Sequence, residues 1–161
     1  MTWMPKSLYE RWHVERPVLI PDVNILVYAH NSRAREHAQA RQWWQETLAA
    51  PRPVGVPWVA ILGFIRILTH RQIVENPMHV KDAIRRARAW LDHPHVQILT
   101  PGDHHAEILF DLLAHLGTAG NLTTDAHLAA LAIEYQAELV SADADFSRFP
   151  GLRWFNPLRL K

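Results

Sequence analysis

Apolar residues fall along this chain in two rhythms: short continuous runs that stop at a proline or carboxylate, and longer stretches with apolar positions at helical spacing. Runs of the first kind predict buried strands over residues 18–22, 54–56, 96–99, 138–141 and 152–155. Helical periodicity fills the gaps, at residues 24–30, 35–49, 58–69, 80–91, 103–116 and 125–135. Pro51, Pro53 and Pro94 end helices, because proline has no N–H to continue the ladder. Gly102 or Asp103 is the expected cap of the fifth helix, and Thr123 or Thr124 that of the sixth. In the third helix Trp58, Ile61, Phe64, Ile65 and Leu68 read as mostly core. In the fourth, Val80, Ile84, Ala87 and Leu91 share the stripe expected to be buried, opposite Lys81, Arg85, Arg86 and Arg88. Strands that alternate with helices predict an α/β layer fold around a mainly parallel sheet.

With 161 residues the chain suits one domain, read as residues 18–161 after an N-terminal arm of residues 1–17. No apolar run reaches the ~18 residues that cross a bilayer, so no membrane association is expected. Lys6, Glu10, Arg11, Glu15 and Arg16 interrupt any signal-like stretch at the start. The absence of cysteine excludes disulfides, thiolate metal sites and cysteine nucleophiles. A cytoplasmic protein is expected. Net charge is only +1, so affinity for a polyanion has to come from local clusters such as Lys81, Arg85, Arg86 and Arg88, or these are simply a solvated face. The pairs His93/His95 and His104/His105 lack a third soft ligand and read as surface or capping residues, while His127 lies on a different helical face from Asp125. Trp43, Trp44 and Trp90 look like more indole than one small core buries. Core packing is the default reading for them, and an excess would leave an apolar patch for a second copy or a partner helix.

The chemistry concentrates in aspartates. In open α/β sheets, sites form beyond the carboxyl ends of the strands. Asp22 directly follows the first predicted strand, Asp143 comes two residues after the fourth, and Asp145 two further on. Asp125 opens the helix that leads into the fourth strand. If the first and fourth strands are parallel neighbours, all of these reach one edge. Clustered carboxylates repel, and either a shared proton or a divalent cation relieves the repulsion. An all-oxygen set suits Mg²⁺ or Mn²⁺ rather than zinc. Each aspartate also has a plain structural role open to it: helix cap for Asp22, helix-dipole partner for Asp125, turn former for Asp143 and Asp145.

Asp22 and Asn24 after a strand, the helix from Thr124 and Asp125 to Ala132, and the stretch from Leu139 to Asp143, Asp145 and Phe146 resemble the PIN-domain ribonucleases, and within them the VapC toxins of type II toxin–antitoxin systems. The resemblance spans roughly residues 18–158, including Gly120 to Leu122 and Arg148 to Trp154. It implies a three-layer α/β/α sandwich and Mg²⁺- or Mn²⁺-dependent hydrolysis of RNA by a water that the carboxylate-held metal activates. It also implies a homodimer and a small cognate antitoxin. On that likeness Asp22, Asp125 and Asp143 are the catalytic and metal-holding acids, Asp145 joins them at the metal, and Asn24 and Ser141 support them. The family's common glutamate after the second strand falls on Gly63, which puts a second metal ion in doubt. Glycine inside a helix costs ~1 kcal/mol, so packing or substrate access is expected to require it. Arg66 on the same helix is a candidate RNA contact or a surface ion-pair former. Two rivals remain. One is a catalytically weak PIN-like module that binds RNA or protein. The other is a haloacid-dehalogenase-type phosphatase, whose second aspartate is replaced here by Asn24.

Overall fold

The computed structural model describes residues 16–159. The chain runs β1 (Leu19–Pro21), α1 (Val23–His30), α2 (His37–Ala49), β2 (Val54–Pro57), α3 (Trp58–Leu68), α4 (Val80–Leu91), β3 (Val96–Leu99), α5 (His105–Leu116), α6 (Thr123–Glu134), β4 (Glu138–Val140) and β5 (Trp154–Phe155). Short 3₁₀ turns, Gly120–Leu122 and Ala144–Arg148, precede α6 and follow β4. All pairings are parallel, in the order β3-β2-β1-β4-β5, with Ile20 opposite Leu139 and Pro21 opposite Val140. A parallel sheet is covered on both faces, so its strands are apolar throughout rather than alternating. The expected N-terminal arm lies outside the described residues except for Arg16 and Pro17.

Two cores flank the sheet. On one side α1, α2, α3 and α4 close around Phe64, Trp44 and Trp90, with Phe64 and Trp90 edge to face at 4.5 Å. On the other, α5 and α6 pack Leu112, Leu128 and Leu131 against Ile20 and Leu139. This is the three-layer sandwich. Trp44 and Trp90 are each 4% exposed and Trp43 packs against the core, so the default reading of core packing holds for them.

Other expectations are corrected. The buried stripe of α4 is Ala83, Ala87 and Trp90, while Val80 and Ile84 are 48% and 44% exposed. One large indole flanked by two small residues fills the space that an aliphatic stripe was expected to fill. Trp58, expected in the core, is half exposed, and so is Leu62 one turn later. Neither Gly102 nor Asp103 caps α5, which starts at His105. Instead the Glu134 carboxylate, from the far end of α6, accepts the Gly102 and His104 N–H groups at 3.1 and 3.2 Å. Neither Thr123 nor Thr124 caps α6. Thr123 is already helical and donates its hydroxyl to the Gly120 carbonyl at 2.9 Å.

Candidate active site

The β1–β4 pairing decides what stands at the carboxyl edge of the sheet. Asp22 follows Pro21 there, its N–H donating to the Val140 carbonyl at 2.8 Å. Its extended backbone makes it the N-cap of α1, and Oδ1 accepts the Val23 N–H at 2.7 Å. The capping role and the site position therefore coexist.

Ser141, fully buried, is the hub beneath the acids. Its Oγ accepts from Asn24 Nδ2 at 3.2 Å and from the Asp143 N–H at 3.0 Å. Those two bonds occupy both hydroxyl lone pairs, so its one hydrogen must go to Asp22 Oδ2 at 2.7 Å. Asn24 closes the ring by accepting the Ala142 N–H at 3.3 Å. Asp143 in turn caps the 3₁₀ turn by accepting the Asp145 N–H at 2.9 Å. A single polar mesh thus fixes Asp22, Asn24, Ser141 and Asp143.

Asp125 joins from the other layer, in the first turn of α6. Its pKa is pushed up to about 6, first by burial and then by the charges of Asp22, Asp143 and Asp145. Asp22 is raised too, chiefly by burial and last by Asp143, against the lowering pull of its bonds to Ser141 and Val23. Asp125 therefore lies within electrostatic reach of the other three acids. Among the described residues no three carboxylates or imidazoles are close enough to grip one ion directly. Magnesium typically takes one or two carboxylates and keeps several waters, and a spaced, all-oxygen set that already repels itself fits such an ion. Both Asp22 oxygens retain a lone pair beyond their internal hydrogen bonds.

Arg66 is not brought to this edge. It lies exposed in the last turn of α3, a helix that starts at the sheet edge and runs away from it for roughly 12 Å. Gly63 has a packing explanation, because a Cβ there would meet the Val23 methyls at 2.8 and 3.1 Å. Val23 is the next residue after Asp22.

The PIN domain family matches residues 19–152. This chain belongs to that family. The PIN domain is 44% identical to the ribonuclease VapC33 of Mycobacterium tuberculosis over 88% of this chain and 99% of that protein. Its identity to the ribonuclease VapC37 of the same organism is 40%, over 86% and 96%. Its fold also superposes on solved structures of low identity. VapBC2 from Rickettsia felis, solved bound to a DNA fragment from its promoter, matches with TM-score 0.64 and 16% identity over 86% of this chain and 98% of that one. The M. tuberculosis toxin VapC20, described as cleaving the sarcin–ricin loop, matches with TM-score 0.62 and 17% identity over 84% and 98%.

Sequence reasoning missed one part of this PIN domain. His105, expected to be a surface or capping residue, is 7% exposed and bonded ring to ring with His127 at 2.9 Å. His105 Nδ1 faces Glu134 Oε2 at 3.5 Å, too long for an ordinary hydrogen bond. Burial, then His105, lowers the pKa of His127. The available signal was the seven-residue spacing of His127 and Glu134, which puts both on one stripe of α6.

Proposed function

We propose that this protein is a VapC-type endoribonuclease that hydrolyses RNA phosphodiester bonds at Asp22, Asp125, Asp143 and Asp145 with Mg²⁺ or Mn²⁺. The observation that carries the reading is the Ser141 hub, which ties Asp22 and Asp143 together at the carboxyl edge of the sheet, with Asp125 close enough for their charges to help raise it. Relatives at 40% identity or more are ribonucleases by name.

Asp22 and Asp143 are the positioned ligands, each held by Ser141, and Asp145 extends the acidic rim. A divalent cation bound there supplies Lewis-acid polarisation and offsets the charge of the phosphodiester. Asp125 has no hydrogen-bond partner among the described residues and is raised towards neutral, so it is the carboxylate best suited to take a proton from the attacking water. The substrate class we favour is an unpaired loop of a structured RNA, where bases are accessible. A small cognate antitoxin is the proposed partner that blocks the site, and a homodimer the proposed assembly. Among the described residues no helix is long and apolar enough to cross a membrane.

Purified protein with Mn²⁺ is expected to cleave structured RNA. Asp22→Asn and Asp143→Asn should each lose at least about 100-fold in rate. Growth arrest on expression should be relieved by Asp22→Ala. Intact RNA with the wild-type protein, and variants that behave as wild type does, would end this reading. The alternative of a catalytically weak binding module drew on Gly63, and the Val23 contact gives that glycine a packing reason of its own.

A further inference from the structure

A second cleft, of about 530 Å³, opens between α2, α4 and the C-terminal end of α1. Its floor is aromatic: Trp44 and Trp90 meet edge to face at 5.8 Å, and His30 lies 5.3 Å from Trp90. Its walls are cationic. His37 and Arg41, one turn apart on α2, face Arg86 on α4 and His30, and no carboxylate lines the space. Among the described residues neither arginine is in an ion pair, whereas the adjacent Arg85 binds Asp82 at 3.0 Å. The basic run of α4 therefore splits: Arg85 is neutralised locally, and Arg86 turns to the cleft.

The two imidazoles are oriented by the backbone. Nδ1 of His30 sits 2.8 Å from the Leu26 carbonyl, and Nδ1 of His37 sits 2.8 Å from the Tyr28 carbonyl. A carbonyl only accepts, so each Nδ1 carries a hydrogen and each Nε2 remains for another partner. Burial first, opposed by the Leu26 carbonyl, and then the charges of Arg86, His37 and Arg41 keep His30 from protonating at its ordinary pH. Four nitrogen-rich side chains thus crowd together without a counter-charge, the mirror image of the acids at the sheet edge.

We propose that this cleft is a phosphate-binding subsite that holds the RNA strand at a phosphodiester remote from the one cleaved; it rests on the ribonuclease reading. Guanidinium forks match phosphate oxygens two at a time. Arg41 and Arg86, on separate helices, both line the cleft. Trp44 and Trp90 are each only 4% exposed, so they offer no face on which a base could stack, and the site reads phosphate rather than base. The eight residues of α1 separate Asp22 from His30 by roughly 12 Å along the helix, within reach of one bound strand. Contacts of this kind fix register without reading sequence.

The test compares wild type with the double variant Arg41→Gln/Arg86→Gln, on RNA of about twelve nucleotides and on RNA of two or three, within the usual range of single-strand sites. On the longer RNA, KM is expected to rise about tenfold with kcat unchanged, while the short substrate is handled equally by both proteins. The slope of log affinity against log salt should flatten by about 1.4, since each single-strand phosphate contact contributes about 0.7. Arg41→Lys/Arg86→Lys should keep that slope while losing part of the affinity. Equal KM and equal slope on the longer RNA would overturn the subsite while leaving the ribonuclease reading intact. A wild-type protein that cleaves no RNA would overturn that reading itself. Titration of inorganic phosphate and of a mononucleotide, followed by tryptophan fluorescence, separates the sources. Micromolar mononucleotide binding that the double variant loses, with RNA affinity unchanged, would assign the cleft to a free phosphorylated ligand and overturn its role in holding RNA.

Discussion

At the scale of single residues, the site shows how one side chain serves structure and chemistry at once. Asp22 caps α1 with one oxygen and takes the Ser141 hydrogen with the other, so its position is set before any ligand arrives. Asp125 has no such anchors and bears the electrostatic cost. Its folded-state pKa of about 6 lies above the ordinary carboxylate value of 3.8. A group raised in this way contributes stability that is fully present below its unfolded pKa and is lost as pH rises through the folded one. Metal-free protein should therefore lose stability between about pH 4 and pH 7 through this residue. The raw shift is near 3 kcal/mol, but Asp125 is only about half buried, and solvent screening reduces the expected loss to about 1 kcal/mol. In chelator, Asp125→Asn should melt higher than wild type at pH 7.5, and the two should converge at pH 4. Equal melting temperatures at pH 7.5 would mean that the acids do not burden one another. Asp22→Asn is a poorer probe, because an amide hydrogen aimed at Ser141 would compete with the two donors that its hydroxyl already accepts.

At the scale of elements, the sequence revealed more of what lies along the chain than of what crosses between segments. Every predicted strand and helix is present, and the apolar run ending at Asp22 sufficed to point to the edge where the acids meet. The caps of α5 and α6 were misread because the group that satisfies the start of α5 is Glu134, some thirty residues on, and no local spacing announces it. The buried stripe of α4 was misread because it is filled by two alanines followed by one tryptophan, which packs against Phe64 and Trp44. Gly63 belongs to the same class, since its reason lies on another helix. A methyl there would press both methyls of Val23, a β-branched side chain with little rotamer freedom at the first turn of α1. Gly63→Ala gains about 1 kcal/mol in helix propensity but incurs about 1–3 kcal/mol of overpacking. The single variant should therefore be neutral to destabilised by about 2 kcal/mol. In a Val23→Ala background the same change should stabilise by up to about 1 kcal/mol. Chemical denaturation of the four proteins checks this, and purely additive effects would exclude the contact as the reason for the glycine.

At the scale of the whole molecule, the candidate site draws on residues from both layers that flank the sheet. Asp22 leads into α1 on one side, Asp125 rides on α6 on the other, and Asp143 and Asp145 follow strand β4, the neighbour of the central β1. An ion bound by this set, as proposed, would link residues carried by both layers and relieve the repulsion at Asp125. It would bind the folded chain alone, because in the unfolded chain about a hundred residues separate Asp22 from Asp125. Mass action then fixes the size of the effect: at about 100 times its dissociation constant the ion stabilises by about 2.7 kcal/mol. Mg²⁺ or Mn²⁺ should therefore move the denaturant midpoint of the wild-type protein upward while leaving the slope of the transition unchanged, since the surface exposed on unfolding does not change. Asp22→Asn and Asp143→Asn should lose most of that shift. If either variant is stabilised by the ion as much as wild type is, the cation binds elsewhere and the two layers are held by packing alone.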